Sequence, residues 1–354
     1  MNIEQEIKEH LDNIYDLKAP SGLFLASSQG VSTGYDKAWL RDNFYAVLAF
    51  EVTNDWDTVL KAWTAIMHIF EKHKGKISWA AQNKPHESWQ YIHARYHPET
   101  FDEFWEEWGN KQNDAVGAII FKLVDIELKG KGIFQTDGDR EILQILIDYL
   151  NSVEYWHDPD NGIWEEYEEV HASSVGAVVA GLKKASQLDF INIPEGLIEK
   201  GEQSLRDLMP RESQTKFCDL ALLSLIYPYD VVDRETAERI IENLHYHLDR
   251  KSGVVRYKND YYYNKNEVDG FSEEAEWVMG FPWLSIIYSL WGDQERARNY
   301  IYKTKKLEAE GNKLPELYYS NSNDPNENIP LGWAESLYVV ALKEYSERFG
   351  ETEI

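Results

Sequence analysis

Apolar residues recur at steps of three and four along nearly the whole chain, the spacing that puts them on one face of an α-helix. Val59, Trp63, Ile66 and Phe70 follow that step, as do Ile142, Ile145, Leu146, Tyr149, Leu150 and Val153. The pattern predicts twelve helices, over 3–15, 36–52, 56–70, 113–127, 139–156, 172–187, 194–209, 216–226, 233–248, 274–290, 294–306 and 333–349. Local chemistry supports several of their ends. Pro194 suits a first helical position, where a missing N–H costs nothing. Asp233 can cap the ninth helix, and Gly292 can close the tenth. The clearest strand signal is the pair 254–257 and 261–264 across Lys258-Asn259-Asp260.

Twelve helices make six hairpins, and six hairpins closed into a ring form an all-α (α/α)6 barrel, in which an inner ring buries its apolar faces against an outer one. A solenoid of helix pairs would show a repeat of motif residues every 34 or 40 positions, and none is found. With no Gly/Ser-rich or Pro-rich linker to divide it, the chain reads as one domain over 1–354. The unusual stretches fall on this map in a regular way. Trp39-Leu40-Arg41-Asp42-Asn43, the segment 108–114, Trp164-Glu165-Glu166, the segment 274–283 and Leu314-Pro315-Glu316-Leu317-Tyr318 each stand at the N-terminal side of an even-numbered predicted helix. Even helices in an alternating barrel run parallel, so these five stretches are expected at one mouth. Residues 72–107 and 307–331 read as long loops on the same side, and structureless loops of such length tend to be functional.

Charge narrows the partners. With 36 basic and 62 acidic residues the formal net charge is −26, which repels phosphate backbones and anionic lipid alike. Neither nucleic acid nor a membrane surface is an expected partner. No apolar run approaches a membrane span and the first residues do not form a signal peptide, so a soluble, cytoplasmic protein is expected. The one cysteine, Cys218, lies in an apolar run and reads as a small buried hydrophobe. The 13 Trp, 22 Tyr and 13 Phe beside those acids suit carbohydrate, whose ring faces lie on aromatic faces while carboxylates take the hydroxyls. A large helical core also needs aromatics, so composition alone does not decide.

The densest candidate chemistry is Asn161-Gly162-Ile163-Trp164-Glu165-Glu166. An acid held against an indole in a dehydrated cleft keeps its proton to unusually high pH, as a general acid must. Taken alone, the stretch reads more readily as a turn followed by an acidic helix entrance. Other signals fall away. Asp158-x-Asp160-x-Gly162 places Ile163 where a calcium loop needs glycine. His93 and His97 have the i, i+4 spacing of a zinc pair but no glutamate in the metalloprotease position. No phosphate-binding glycine loop appears, and Ser173-Ser174 lacks a nucleophile elbow. Neither a cofactor nor a metal is called for.

Taken together, these stretches resemble the glucoamylase family of inverting α-glucosidases, glycoside hydrolase family 15. The shared elements are Trp39-x-Arg41-Asp42-Asn43 with Tyr45, Trp108-Gly109-x-x-Gln112-x-Asp114, Gly162-Ile163-Trp164-Glu165, Ala172-Ser173-Ser174-Val175-Gly176, Leu314-Pro315-Glu316-Leu317-Tyr318 and Trp333-x-x-Ser336-Leu337-Tyr338. His93-Ala94-Arg95-Tyr96 and Glu274-Ala275-Glu276-Trp277 are more similar to the glucoamylase-like domain of the phosphorylase kinase α and β subunits. The resemblance implies Glu165 as general acid and Glu316 as general base. It implies that Trp39, Arg41 and Asp42 hold the terminal glucose, with Trp108 and Trp164 as walls. Gln112, Asp114, Glu166 and Arg256 are further candidate sugar contacts. The implied partner is an α-linked gluco-oligosaccharide or polysaccharide, hydrolysed from its end with inversion. A glycan-binding or regulatory module of the kinase-subunit type is the second reading.

Overall fold

Helices in this chain divide by how much of their circumference is apolar, and the division decides where each one lies. The computed structural model describes residues 1–354 except 29, 32, 107 and 264–272. Five helices are buried on nearly all sides: α2 (Leu40–Val52), α5 (Asn113–Leu128), α7 (Ala172–Ala185), α10 (Gly280–Leu290) and α12 (Gly332–Phe349). In α5 every residue from Asn113 to Val124 is buried, and in α7 every residue from Ala172 to Leu182. A helix apolar on every face can only sit inside. These five, with a 3₁₀ helix at Leu220–Leu225, pack side by side into a closed ring in the order α2, α5, α7, 3₁₀, α10, α12 and back to α2.

The outer ring is made of helices with one apolar stripe. α1 (Ile3–Tyr15), α3 (Trp56–Lys72), α6 (Asp137–Val153), α8 (Leu197–Leu208), α9 (Arg234–His247) and α11 (Gln294–Lys305) pack on α12, α2, α5, α7, the 3₁₀ helix and α10 respectively. Outer and inner elements thus alternate six times along the chain, and the fold is the (α/α)6 barrel. The tightest crossing, α5 on α7, needs two glycines. A Cβ on Gly117 would lie 2.5 Å from the Val178 amide, and one on Gly181 would lie 2.8 Å from the Gly117 carbonyl.

Five outer helices are capped by their own Asn2, Asp55, Thr136, Asp233 and Asp293. The five inner α-helices lack such caps, and for two of them loops from elsewhere supply acceptors: Asp160 accepts from the Asn113 amide of α5, and Glu212 from the Ser173 amide of α7. The N-termini of α5 and α7 are thereby tied to loops at one end of the barrel. The positive ends of the inner helix dipoles face that end, where they favour carboxylates.

Several predicted elements differ in detail. The helix expected over 36–52 begins at Leu40, because Ala38–Trp39 form β1 and pair antiparallel with β2 (Arg95–Tyr96). Likewise α10 begins at Gly280, since Glu276–Trp277 form β3, which pairs with β4 (Leu317–Tyr318). The eighth helix proves to be the 3₁₀ element, and α8 starts at Leu197 rather than Pro194. Within 72–107, expected as loop, α4 (Lys74–Gln82) packs on α6. The expected hairpin of 254–257 with 261–264 is replaced by other pairings: Val254 bridges to Trp277 and Asp249, and Tyr257 to Asp219. Arg256 folds back on Asp260 at 2.7 Å and closes the intervening turn on itself, and Asn264 lies outside the described residues. Among the described residues no helix is long and apolar enough to cross a membrane.

Candidate active site

Strand β1 ends at Trp39 and α2 begins at once, so Trp39, Arg41 and Asp42 are presented by the turn between a paired strand and a buried helix. Asn43 fixes that turn: its side chain accepts from the Phe24 amide at 2.8 Å and donates to the Trp39 carbonyl at 2.8 Å. Arg41 is buried and spends its guanidinium three ways. Nη1 donates to Gln112 Oε1 and Asp114 Oδ2, each at 3.0 Å, and Nη2 donates to Glu165 Oε1 at 2.7 Å.

Glu165 ends a tight turn that starts at Gly162. Its backbone is left-handed, with φ +62°, a conformation that costs a non-glycine residue about 1–3 kcal/mol and is kept where surroundings over-determine it. The other carboxylate oxygen accepts from Trp39 Nε1 at 3.3 Å and from Trp108 Nε1. Gly109 lets the Trp108 segment approach, since a Cβ there would lie 3.0 Å from the Glu165 carbonyl. Trp164 points the other way, donating Nε1 to the buried Asp219 at 2.8 Å and stacking toward Trp333 with ring centres 6.2 Å apart.

Glu166, the second acid of the pair, belongs to a different network. It accepts from Arg256 Nη2 at 2.7 Å, from Lys216 Nζ at 3.3 Å and from the Tyr257 hydroxyl. Burial pushes its carboxyl up, but Arg256 and Lys216 outweigh burial and hold it below the usual value.

Glu316 is presented just ahead of β4. It is 2% exposed, and its carboxylate accepts from Tyr35 at 2.9 Å, Asn326 at 2.6 Å and Asn328 at 2.7 Å. Burial still dominates those three donors and leaves its pKa raised. Asp42 is pushed up to about 7, chiefly by burial, with the charges of Glu165 and Glu316 adding to it against Arg41.

Glu165, Glu316, Asp42, Arg41, Glu166, Arg256, Trp39, Trp108 and Trp164 all line one cavity of about 190 Å³. It lies at the N-terminal end of the inner ring, so the stretches that sequence spacing expected at one mouth are found there. Gln112 and Asp114 do not line it. They stand behind Arg41 and hold its guanidinium, because α5 presents them toward α2 rather than toward the axis. Tyr35, Tyr262, Trp277 and Trp333, none of them expected in the site from the sequence, line the cavity as well. Asn326 and Asn328 hold Glu316, and Asp219 holds Trp164, again without a sequence signal for the site. Trp277 and Trp333 stood inside stretches already singled out; the asparagines lie in a polar loop with no distinguishing pattern.

A chamber walled by indoles and lined by carboxylates and the guanidinium groups of Arg41 and Arg256 suits a polyhydroxylated ring: the apolar face lies on tryptophan and the hydroxyls meet charged groups. Phosphorylase b kinase regulatory subunit alpha, skeletal muscle isoform, of Oryctolagus cuniculus is 25% identical over 387 residues, spanning 93% of this chain and 29% of the subunit. The chain therefore spans less than a third of that relative's length. Among solved structures, a glycosidase variant in complex with glucose matches with a TM-score of 0.81 at 16% identity, covering 97% of both chains. The glucoamylase of Saccharomycopsis fibuligera matches with a TM-score of 0.72 at 14% identity, covering 98% of this chain and 95% of its own. At these identities the two structures speak for the fold. The pattern that defines Glycosyl hydrolases family 15 matches residues 8–345, and the chain belongs to that family.

Proposed function

We propose that the chain hydrolyses α-linked gluco-oligosaccharides or polysaccharides from the end, with inversion at the anomeric carbon. Glu165 is the general acid and Glu316 the general base. The observation that carries this reading is that both carboxylates line one small cavity, Glu165 on the Arg41 side and Glu316 on the Tyr35 side. The terminal glucose takes Arg41 and Asp42 through its hydroxyls and lies against Trp39, Trp108 and Trp164. As it enters, its hydroxyls replace Glu165 on Arg41 Nη2, which frees the acid for the glycosidic oxygen. Glu316, ionised and aimed by Tyr35, Asn326 and Asn328, draws a proton from a water that attacks the opposite face. Such a water fits when the two carboxyls stand about 6.5–9.5 Å apart.

A second reading has a specific observation behind it. The curated relative is a regulatory subunit, so the same cavity can serve as a glycan sensor in which the Arg41–Glu165 pair stays closed. Incubation with maltose, isomaltose, trehalose and short maltodextrins, followed by assay of free glucose and its anomer, separates the two. Release of β-glucose from an α-glucoside supports the hydrolase. Tight binding of maltooligosaccharide with no glucose released supports the sensor.

A further inference from the structure

Away from the cavity, the outer helix α1 carries a histidine with no contact to solvent, and its ring nitrogens face carboxylates alone. His10 is 0% exposed. Its Nδ1 meets Glu335 of α12, while Nε2 faces Glu6 on its own helix at 3.4 Å and Glu308, just beyond α11, at 3.3 Å. Lys305 of α11 bonds Glu6 at 2.6 Å and Glu308 at 2.7 Å, and the Tyr338 ring meets the imidazole edge-on. Glu6, His10 and Glu308 are close enough to hold a metal ion, but the Lys305 ammonium already bridges the two carboxylates. Both ring nitrogens of His10 thus point at carboxylate oxygens. Only an imidazolium can donate from both. Three buried carboxylates with Lys305 alone would leave negative charge unpaired, which is costly.

Glu335 connects this cluster to the cavity. It is 0% exposed, and the oxygen not facing His10 accepts from the Leu314 amide at 2.7 Å and from Asn13 at 3.3 Å. Asn13, also on α1, donates to the Asn312 carbonyl at 2.9 Å. The Leu314 carbonyl in turn accepts from the Leu331 amide at 2.9 Å. Both backbone polar groups of Leu314 are therefore fixed, Pro315 stiffens the next step, and Glu316 follows. Two residues before Glu335 in α12, Trp333 walls the cavity.

We infer that His10 is a positioning residue for Glu316: as an imidazolium it clamps Glu335, and Glu335 holds the Leu314 amide that sets where the Glu316 carboxylate stands. This takes Glu316 to be the base, as proposed above. The clamp spans three elements, α1, α12 and the segment leading to β4, so α1 sets the geometry of a site it does not touch.

The first test uses the unaltered protein. Nitrogen-15 NMR of His10 at pH 7 should show protons on both ring nitrogens; a neutral ring overturns the inference. The second uses His10→Gln, which keeps a donor and removes the charge. Hydrogen exchange at Leu314 should accelerate roughly tenfold or more while α7 exchanges as before, and kcat should fall about 10–100-fold, the effect of an ångström-scale misplacement, with KM nearly unchanged. Leu314 exchange unchanged, or accelerated equally in α7, means that His10 serves overall stability alone. If the unaltered protein releases no glucose, the hydrolase reading fails, and the exchange and NMR results still decide the clamp.

Discussion

Arg41 and Glu165 stand 124 positions apart in the chain and meet at 2.7 Å. The same guanidinium holds Asp114 at 3.0 Å, so one side chain ties together the entrances of α2, α5 and α7. Replacing Arg41 by Met leaves Asp114 buried without its cation. Loss of one partner from a buried pair costs about 3–5 kcal/mol, and urea unfolding of Arg41→Met should show a loss of that size. Sugar affinity should fall as well. A loss under about 1 kcal/mol would mean that water replaces the pair and that Arg41 acts on sugar alone.

Much of this arrangement was legible in the sequence, and the exceptions share a cause. The outer helices announce themselves by one apolar stripe and a capping residue, as at Asp233, whose side chain accepts from the Thr236 amide. The run Leu220–Leu225 is apolar except for Ser224 and bounded by Asp219 and Pro228, and periodicity cannot tell a short 3₁₀ helix from an α-helix in such a run. α4 went unseen because it buries only Ile77 and Ala80, too few to make a stripe. At the site, Glu165 and Glu316 each precede an inner helix, so the order of elements alone brings both to one mouth. The side on which a residue at a helix entrance points is set by packing, so the place of Gln112 and Asp114 behind Arg41 could not be read from spacing. Asn326 and Asn328 look like any polar loop until the fold sets them against Glu316.

The pH profile should carry the mark of Glu316. Burial raises its carboxyl above the ordinary 4.5, against the hydrogen bonds of Asn328, Asn326 and Tyr35. With Glu316 as the proposed base, which works ionised, the acid limb of kcat/KM should lie above 4.5. Asn328→Ala removes a donor that favours the carboxylate and should move the limb to still higher pH. Movement to lower pH would mean that the limb belongs to another group.

Stability should fall on the alkaline side because of His10. Its native pKa is raised well above 6.5: burial opposes the charge, but Glu335, Glu308 and Glu6 outweigh it. From 6.5 upward the unfolded chain has lost a proton that the native state still holds, so stability is full below 6.5 and is lost as pH climbs to the native value. His171, raised to about 9 against burial by Glu212 and Asp160, contributes in the same direction. His10→Gln should therefore flatten part of the slope of unfolding free energy above pH 6.5. Glu6 works oppositely. It is lowered to about 2 because its bonds to His10 and Lys305 outweigh burial, and its contribution is present above 4.5 and disappears as pH falls toward 2. Urea titrations across pH 2 to 9 check both limbs.

The role of Glu165 can be separated from simple sugar binding by varying the leaving group. A general acid matters in proportion to how badly the departing oxygen needs a proton. Maltose expels a sugar alkoxide and needs it fully; a glucosyl fluoride or an activated aryl glucoside needs it little. Glu165→Gln keeps the side-chain length and its contacts with Trp39 and Trp108 within reach, but it cannot deliver a proton. Turnover of maltose should fall by roughly 10²–10⁴-fold, the usual worth of a positioned acid, with a far smaller loss on the activated substrates. The variant also releases Arg41 Nη2 from its carboxylate, so sugar affinity should hold steady or rise. If both substrate classes lose turnover equally and affinity drops, Glu165 is a sugar ligand, and the proton must come from elsewhere in the cavity, with Asp42, titrating at about 7, the next residue to substitute.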